Sequence, residues 1–509
     1  MMNKSYFQTK TMLFLWLLIA LFFLFQLQLM FSFSLDIDGL EFYFIRLTQR
    51  IFMHQPLYPN PEILPFDNCL YTPIYPYLLK FIYSFFNVDF TNDIYKMYVV
   101  GRFFSFVFVL VQLYYFIKLI RLFTSSNQLL LIVVCLYLYL LSGHIFAIRP
   151  DSLRLLFFTV FLYSLIRYLY FNSSIKYFTY SLFAAVLAVF SKQDIMVHIG
   201  VALLLCLFLA SEKRKYVLLF GVYFGLICLV FLLLLYLSFG KYIISNLFYM
   251  NLQKTTDLFK SINVYFALYS IIRATPFLFF IYYNYKAIKK VHENRKVYLF
   301  FIFYGIFLFV YAHLSMLRVG ANLNYTYELI IIMLLQFILF TQLYKTEIEN
   351  KNKLFKTGTL AYLILCVAIN MLVFRQRNLN KDYIKMNRFE YFSMLMDRSL
   401  IQSKVKDGYV FFPNPKYAVM FAKDKIITTN EMHLGRFIRL YTPFYAASKL
   451  TGINTQIFDN AFLSGQIKYI LIKDDEKSKQ FVKEYYPAYK RDYAGNFFLL
   501  YKYDNNNNK

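Results

Sequence analysis

The sequence predicts a polytopic α-helical membrane protein of about eleven transmembrane helices, with a large first outer loop and a small C-terminal α/β domain outside the membrane. Three observations predict it. The 509 residues are 59% hydrophobic and 22% aromatic, whereas soluble domains run at roughly 45–50% apolar. Runs of about 20 apolar residues, the length that crosses a bilayer core, recur along the chain. Beyond residue 375 the composition returns to that of a soluble domain.

The first apolar run, 11–33, follows a short tail carrying Lys4 and Lys10. It is too long for the apolar region of a signal peptide and lacks a small-residue cleavage site, so it reads as a retained first span. Further spans fall at 98–122, 128–147, 152–171, 177–190, 195–211, 216–239, 264–285, 297–314, 327–344 and 358–374. The short pair 177–190 and 195–211 is separated by the polar break Ser191-Lys192-Gln193-Asp194. With the N-terminus inside, the Lys213-Arg214-Lys215 cluster, Lys286, Lys289, Lys290, Arg295, Lys296, Lys345 and Lys351 are cytoplasmic, while the short outward turns carry isolated cations such as Arg149, Lys192 and Arg318. That distribution obeys the positive-inside rule and puts the first loop and the C-terminal tail on the outer face.

The chain accordingly divides into a membrane domain at 1–374 with its first outer loop at 34–97, a linker helix at 375–400, an α/β outer domain at 401–503 and a disordered Asn-rich tail at 504–509. Within the outer domain, 408–412 and 467–472 read as strands and 474–486 as a helix. The first loop is long for a connection without structure of its own. Residues 38–54 have the apolar spacing of an amphipathic helix on the membrane surface. A second apolar stretch, 74–86, follows the turn-forming Pro56, Pro59, Pro61, Pro65 and Pro73.

The formal charge of +26 does not argue for nucleic-acid binding, because membrane proteins collect Lys and Arg on cytoplasmic loops for topological reasons. Cys135, Cys206, Cys228 and Cys366 lie in apolar runs and only Cys69 in an outward loop. This excludes a disulfide framework and offers no Cys/His metal spacing.

Four polar clusters fall on the outer side. Asp36 and Asp38 stand where the first span leaves the hydrocarbon, with Glu41 one helical turn after Asp38. Carboxylates so close raise one another's pKa, which suits a proton acceptor; the same residues also suit a solvated helix start. Arg149-Pro150-Asp151 lies at the next outward turn and reads equally as a Pro-broken hairpin with a local ion pair. Lys192 and Gln193 follow, Lys192 with the alternative of snorkelling to the interface. The fourth cluster is Asn322, Asn324 and Glu328, and Glu328 inside an apolar helix is costly without a task. A phosphate needs cations and a hydroxyl nucleophile needs a carboxylate base, and both kinds of group are present. Aromatic grooves for lipid and sugar are available, with Tyr43 and Tyr71 as the candidate contacts in the first loop.

The order of these features resembles the GT-C glycosyltransferases. The residues that carry it are the acidic loop, Gln55-Pro56-Leu57-Tyr58-Pro59, Tyr71-Thr72-Pro73-Ile74-Tyr75-Pro76, Gly101-Arg102, Arg149-Pro150-Asp151-Ser152-Leu153, Ser191-Lys192-Gln193, and Gly320 to Asn324 through Glu328. Within the superfamily the chain is most similar to the bacterial branch related to protein O-mannosyltransferases and aminoarabinose transferases. The resemblance implies a polyprenyl-phosphate-linked sugar donor, a lipid, glycan or protein acceptor, inversion at the anomeric carbon, and a site on the outer face of a bacterial cytoplasmic membrane. It assigns the general base to Asp38 first and Asp36 second. Members often carry two adjacent acids here; this chain has Gly39 after Asp38, and Glu41 is the substitute for the second acid. Asp151 matches the second outer acidic position, Arg149 and Lys192 would bind the donor phosphate, and Gln193, Arg318, Asn322, Asn324 and Glu328 would border the substrate pocket. Some members use a divalent metal and others do not; the separated acids make no octahedral set, so the sequence requires none.

A transporter or flippase of a glycolipid or polyprenyl-linked substrate is the rival from another class. Such proteins usually show internal repeats and charges near the midplane, whereas these clusters gather at one face, and Arg273 is the strongest residue for the rival. A polymerase or ligase would place its large outer loop late in the chain, and a sensor displaying the tail would leave the intramembrane polar groups unexplained.

Overall fold

The computed structural model describes residues 2–37, 40–60, 69, 71–141, 143–244, 246–247, 277–288, 295–316, 323–344, 388–405, 407–421, 426–428 and 460–504, with isolated positions between 358 and 368. The expected span at 358–374, most of that at 264–285, the turn holding Arg318 and Asn322, and the tail beyond 504 lie outside the described residues.

Helices dominate because an apolar segment in lipid must satisfy every backbone group within itself. Among the described residues, five are long and apolar enough to cross a membrane: Lys10–Met30, Ile94–Arg121, Pro150–Phe171, Ser211–Phe239 and Arg295–Ser315. Shorter apolar helices occupy Asn127–Leu141, Ile175–Ser191, Ile195–Leu209 and Tyr327–Leu343. In chain order the helices are α1 (Met2–Met30), α2 (Glu41–Phe52), α3 (Ile74–Phe85), α4 (Ile94–Arg121), α5 (Asn127–Leu141), α6 (Pro150–Ile166), α7 (Ile175–Ser191), α8 (Ile195–Leu209), α9 (Arg214–Phe239), α10 (Arg295–Met316), α11 (Tyr327–Leu343), α12 (Arg388–Lys404) and α13 (Glu476–Tyr485).

The chain forms two compact units, one of Met1–Met30, Phe103–Leu232 and Thr256–Arg377, the other of Phe31–Arg102, Leu233–Thr255 and Asn378–Lys509. In the first unit, α1 packs on α5, α6 on α7, and α10 on α8 and α11. Polar side chains tie these helices where lipid offers no partner. Gln112 of α4 donates to Thr159 of α6 at 3.0 Å and accepts from Tyr137 of α5, and Tyr139 donates to the Leu18 carbonyl at 2.9 Å. α9 is the opposite case, with Leu226, Leu229 and Val230 exposed, a face that only hydrocarbon covers without penalty.

The second unit joins the segment Phe31–Arg102 to the C-terminal domain. α2 does not lie on a surface as its spacing suggests: nine of its twelve residues are buried, against α3 and the 3₁₀ segment Pro415–Phe421. The physical reason is that its polar side chains find backbone partners. Thr48 donates to the Phe44 carbonyl at 2.8 Å, Arg50 reaches the Pro56 carbonyl, and the Gln49 amide donates to Phe90 and Val419 carbonyls, both at 2.9 Å. These bonds offset part of the cost of burying that face.

The C-terminal sheet runs in the order β2-β1-β3-β5-β4, from Ile426–Thr428, Tyr409–Phe412, Ile467–Lys473, Phe498–Tyr503 and Tyr489–Ala494 respectively. β1 pairs in parallel with β2 and β3, while β3–β5 and β5–β4 are antiparallel. The expected strands and helix are β1, β3 and α13; the β4–β5 hairpin is additional. Asp475 caps α13 by accepting from the Ser478 amide at 2.8 Å, the usual N-cap arrangement. Asp397 of α12 fastens that helix to the hairpin by accepting from the amides of Asn496, Phe497 and Phe498 at 3.1, 2.7 and 2.9 Å.

Candidate functional site

The acidic turn belongs to the second unit. Ser34 and Asp36 close a tight loop: the Ser34 hydroxyl donates to the Asp36 carbonyl at 2.9 Å and receives the Asp36 amide at 3.2 Å. The Asp36 carboxylate accepts from the Glu41 amide at 3.3 Å. Since the α2 N-cap, Leu40, has no side-chain cap bond, Asp36 takes a share of capping from five residues upstream. Asp36 thus serves the helix start, but buried rather than solvated. Asp38 and Gly39 lie outside the described residues.

Glu41 is fully buried and belongs to Arg102 of α4, which is 1% exposed. Arg102 Nε and Nη2 reach the two Glu41 carboxylate oxygens at 2.9 and 2.6 Å. The remaining guanidinium donors hold the Ser32 carbonyl at 3.0 Å and the Ser34 carbonyl at 2.8 Å. Glu41 also accepts from the Ile37 amide at 2.9 Å.

Tyr43 and Tyr71 form part of an aromatic cluster, their rings 5.8 Å apart, with Phe44 4.9 Å from Tyr71. The Tyr71 carbonyl accepts from the Tyr58 hydroxyl at 2.8 Å and the Cys69 thiol at 3.3 Å. Burial raises the Tyr58 phenol well above its ordinary pKa. Burial likewise pushes the Cys69 thiol up to about 11, with the Tyr71 carbonyl and Arg50 only partly opposing it. Both groups are neutral donors at physiological pH, so Cys69 is no nucleophile there. Asn246, which sequence reasoning missed, holds the same stretch: it accepts from the Cys69 amide at 2.8 Å and donates to the Pro59 carbonyl at 3.1 Å.

The other candidates gather in the first unit. α6 begins with extended Arg149 as N-cap and Pro150 at its first position, where the missing N–H is harmless. Asp151 then stands in the first turn, where the helix dipole favours an anion. Its carboxylate meets Arg149 Nε at 3.0 Å and Lys192 Nζ at 2.9 Å. Arg154, one turn on, meets Asp151 at 3.7 Å, Asp194 at 2.9 Å and Glu328 of α11 at 3.0 Å. Lys192 is also 3.6 Å from Asp194 and lies over the Tyr325 ring at 5.4 Å. Gln193 sits half-buried in the same turn. Three carboxylates thus face three cations, all but Asp194 nearly fully buried, and their formal charges cancel, which is the condition for keeping ions out of water.

Sequence reasoning named Arg149, Asp151, Lys192 and Glu328 but missed Arg154 and Asp194. The available signal was an Arg three residues beyond Asp151 inside an apolar helix, a place that demands a partner. Among the described residues no group of three or more His, Cys, Asp and Glu side chains forms a metal-ligand set; Asp151, Asp194, Glu328 and Glu41 are turned to cations instead. Asn324 lies in the 3₁₀ turn Leu323–Thr326 ahead of α11.

No protein-family model matches the sequence, and neither does any curated protein. Solved structures match across nearly the whole chain. The structure is similar to ArnT from Cupriavidus metallidurans bound to undecaprenyl phosphate, at a TM-score of 0.56 and 10% identity, over 95% of this chain and 97% of that one. It is also similar to the archaeal oligosaccharyltransferase AglB from Archaeoglobus fulgidus, in complex with an inhibitory peptide and a dolichol-phosphate, at a TM-score of 0.52 and 11% identity, over 92% and 70% of the two chains. The chain has the fold of the GT-C membrane glycosyltransferases.

Proposed function

We propose that the protein is an inverting membrane glycosyltransferase that moves a sugar from a polyprenyl-phosphate-linked donor to a hydroxyl on a lipid, glycan or protein acceptor. The observation that carries this reading is the fold likeness to ArnT over 95% of the chain. About eleven spans, a bacterial cytoplasmic membrane and an outward-facing site with the C-terminal domain outside complete the reading.

In the proposed reaction the acceptor oxygen attacks the anomeric carbon and its proton passes to a carboxylate. The bond from that carbon to the phosphate oxygen breaks, and the phosphate leaves with the electron pair. The acceptor hydroxyl, with a pKa far above neutral, needs the base; the phosphate needs cations rather than an acid. Asp38 is assigned the base, and Asp36 is second because its carboxylate already serves the Glu41 amide. Glu41 is committed to Arg102 and is set aside as a second acid. Arg149 and Lys192 are assigned to the donor phosphate. Both rest on Asp151, so an incoming phosphate competes with that carboxylate while Arg154 stays beside it. Gln193, Arg318, Asn322, Asn324, Glu328, Tyr43 and Tyr71 are assigned to the substrate walls.

The test uses membrane vesicles from a host lacking the gene, supplied with undecaprenyl-phosphate-linked sugars, with release of undecaprenyl phosphate and labelled product as readouts. Asp38→Asn is expected to abolish transfer while the protein still inserts. Full activity in both Asp38→Asn and Asp36→Asn sinks the assignment of the base. Movement of the donor across the vesicle without any glycosyl product establishes the transporter reading instead.

A further inference from the structure

We infer that Arg102 is a positioning residue: with Glu41 as its counter-ion, it sets the conformation of the turn at 32–41 and thereby the placement of the carboxylate that takes the proton. The inference rests on the glycosyltransferase reading for its kinetic consequence, though not for its structural one.

Four hydrogen bonds from one guanidinium are spent on this turn. Two go to backbone carbonyls, Ser32 and Ser34, on the segment that leaves α1. Two go to Glu41 at the first residue of α2. The fork therefore pins both ends of the turn to one point on α4. Glu41 passes the constraint inward by accepting the Ile37 amide at 2.9 Å, and its own amide holds the Asp36 carboxylate. Residues 32–37 and 40–41 are thus tied to Arg102, in the N-terminal part of α4. The Tyr98 ring, 5.0 Å from the guanidinium, supports it from α4 itself.

Stability alone does not account for the arrangement. A buried ion pair is about as stable as an apolar pair of similar volume, so a loop needing only to be filled could hold two leucines. The planar fork supplies direction: it matches a carboxylate at one edge and carbonyls at the other, which a lysine ammonium cannot do. A base must sit within about 0.5 Å of its productive place, and in a turn without regular secondary structure such fixed side-chain bonds to the backbone are what meets that requirement.

The experiment compares wild type, Arg102→Lys, and the double variant Arg102→Leu with Glu41→Leu, each as full chain in native membrane vesicles and in detergent. Arg102→Lys keeps the charge and the double variant leaves no ion unpaired, so at least one folds, as judged by thermal unfolding and monodispersity. In folded Arg102→Lys, hydrogen exchange at the Ile37 and Glu41 amides is expected to rise at least about tenfold, and in the folded double variant the same rise is expected at the amide of residue 41, whose acceptor Asp36 is kept. The kcat for release of undecaprenyl phosphate is expected to fall about 100-fold, the scale of an ångström misplacement, with KM for the donor nearly unchanged. Unchanged exchange in a folded variant overturns the inference, whether or not transfer is seen. Faster exchange with wild-type kcat also overturns it, since the turn is then not tied to the chemistry. A wild-type protein that transfers no sugar defeats the functional reading and with it the kinetic half of the inference; the exchange arm alone then decides whether Arg102 sets the turn.

Discussion

Arg154 shows how much one side chain carries. It faces Asp151, Asp194 and Glu328 at once and is 1% exposed. Replacing it with Leu leaves three carboxylates to two cations, two of the three carboxylates, Asp151 and Glu328, being buried. The expected loss is about 3–5 kcal/mol, the scale for breaking a buried pair, read as a drop in thermal unfolding temperature in detergent. Arg154→Leu combined with Glu328→Leu restores the balance of two and two, and most of the lost stability is expected to return. A pair of variants that are equally unstable would show that the charge balance is not what matters. Cys69 offers a second measurement. Because burial pushes its thiol up to about 11, the thiolate is scarce at pH 8 and appears only as the pH climbs towards that value. Alkylation of a variant retaining Cys69 alone is expected to be slower than in the unfolded chain by about two orders of magnitude at pH 8. Equal rates would mean that the loop does not enclose it.

At the scale of the element, the union of α12 with the β4–β5 hairpin depends on three backbone amides converging on Asp397. Asp397→Ala strands those donors, and the expected cost is at least about 3 kcal/mol, measured by thermal unfolding of the full chain. Gly495→Ala should act in the same direction, because a Cβ there would run into the Asp397 carboxylate; a neutral result for both would dissolve the proposed joint. The hairpin itself was hard to read in the sequence. Tyr489-Lys490-Arg491-Asp492 shows no alternation, and only Tyr489 among β4 residues is buried, since β4 lies at the edge of the sheet. The Gly495-Asn496 pair before an apolar run was the usable sign. By contrast β1 and β3 were legible as short continuous apolar runs and α13 as a helix, while 74–86 was legible as an apolar stretch. α2 was half legible: its helix was evident, its burial was not, because Gln49 is satisfied by carbonyls that lie far along the chain.

For the whole molecule, local pattern foretold the helices and not the network that occupies them. Glu328 and Arg154 are separated by 174 positions, Arg102 and Glu41 by 61, and no spacing rule reaches so far. What the sequence did contain was the anomaly of ionic residues in apolar runs, which is sufficient to say that partners exist and not which they are. The bond from Gln49 to the Val419 carbonyl spans 370 positions and sets a clock on assembly. A ribosome adding about 5–20 residues per second delivers Val419 roughly 20–75 s after Gln49. Through that interval α2 has its amide donor without one of its two acceptors, and Tyr95 waits likewise for Tyr391, whose hydroxyl accepts its amide. The loop bearing the acidic turn is among the first segments to leave the ribosome and among the last to be finished. A nascent or truncated chain lacking 388–421 is thereby a chain whose loop lacks the partners of Gln49 and Tyr95.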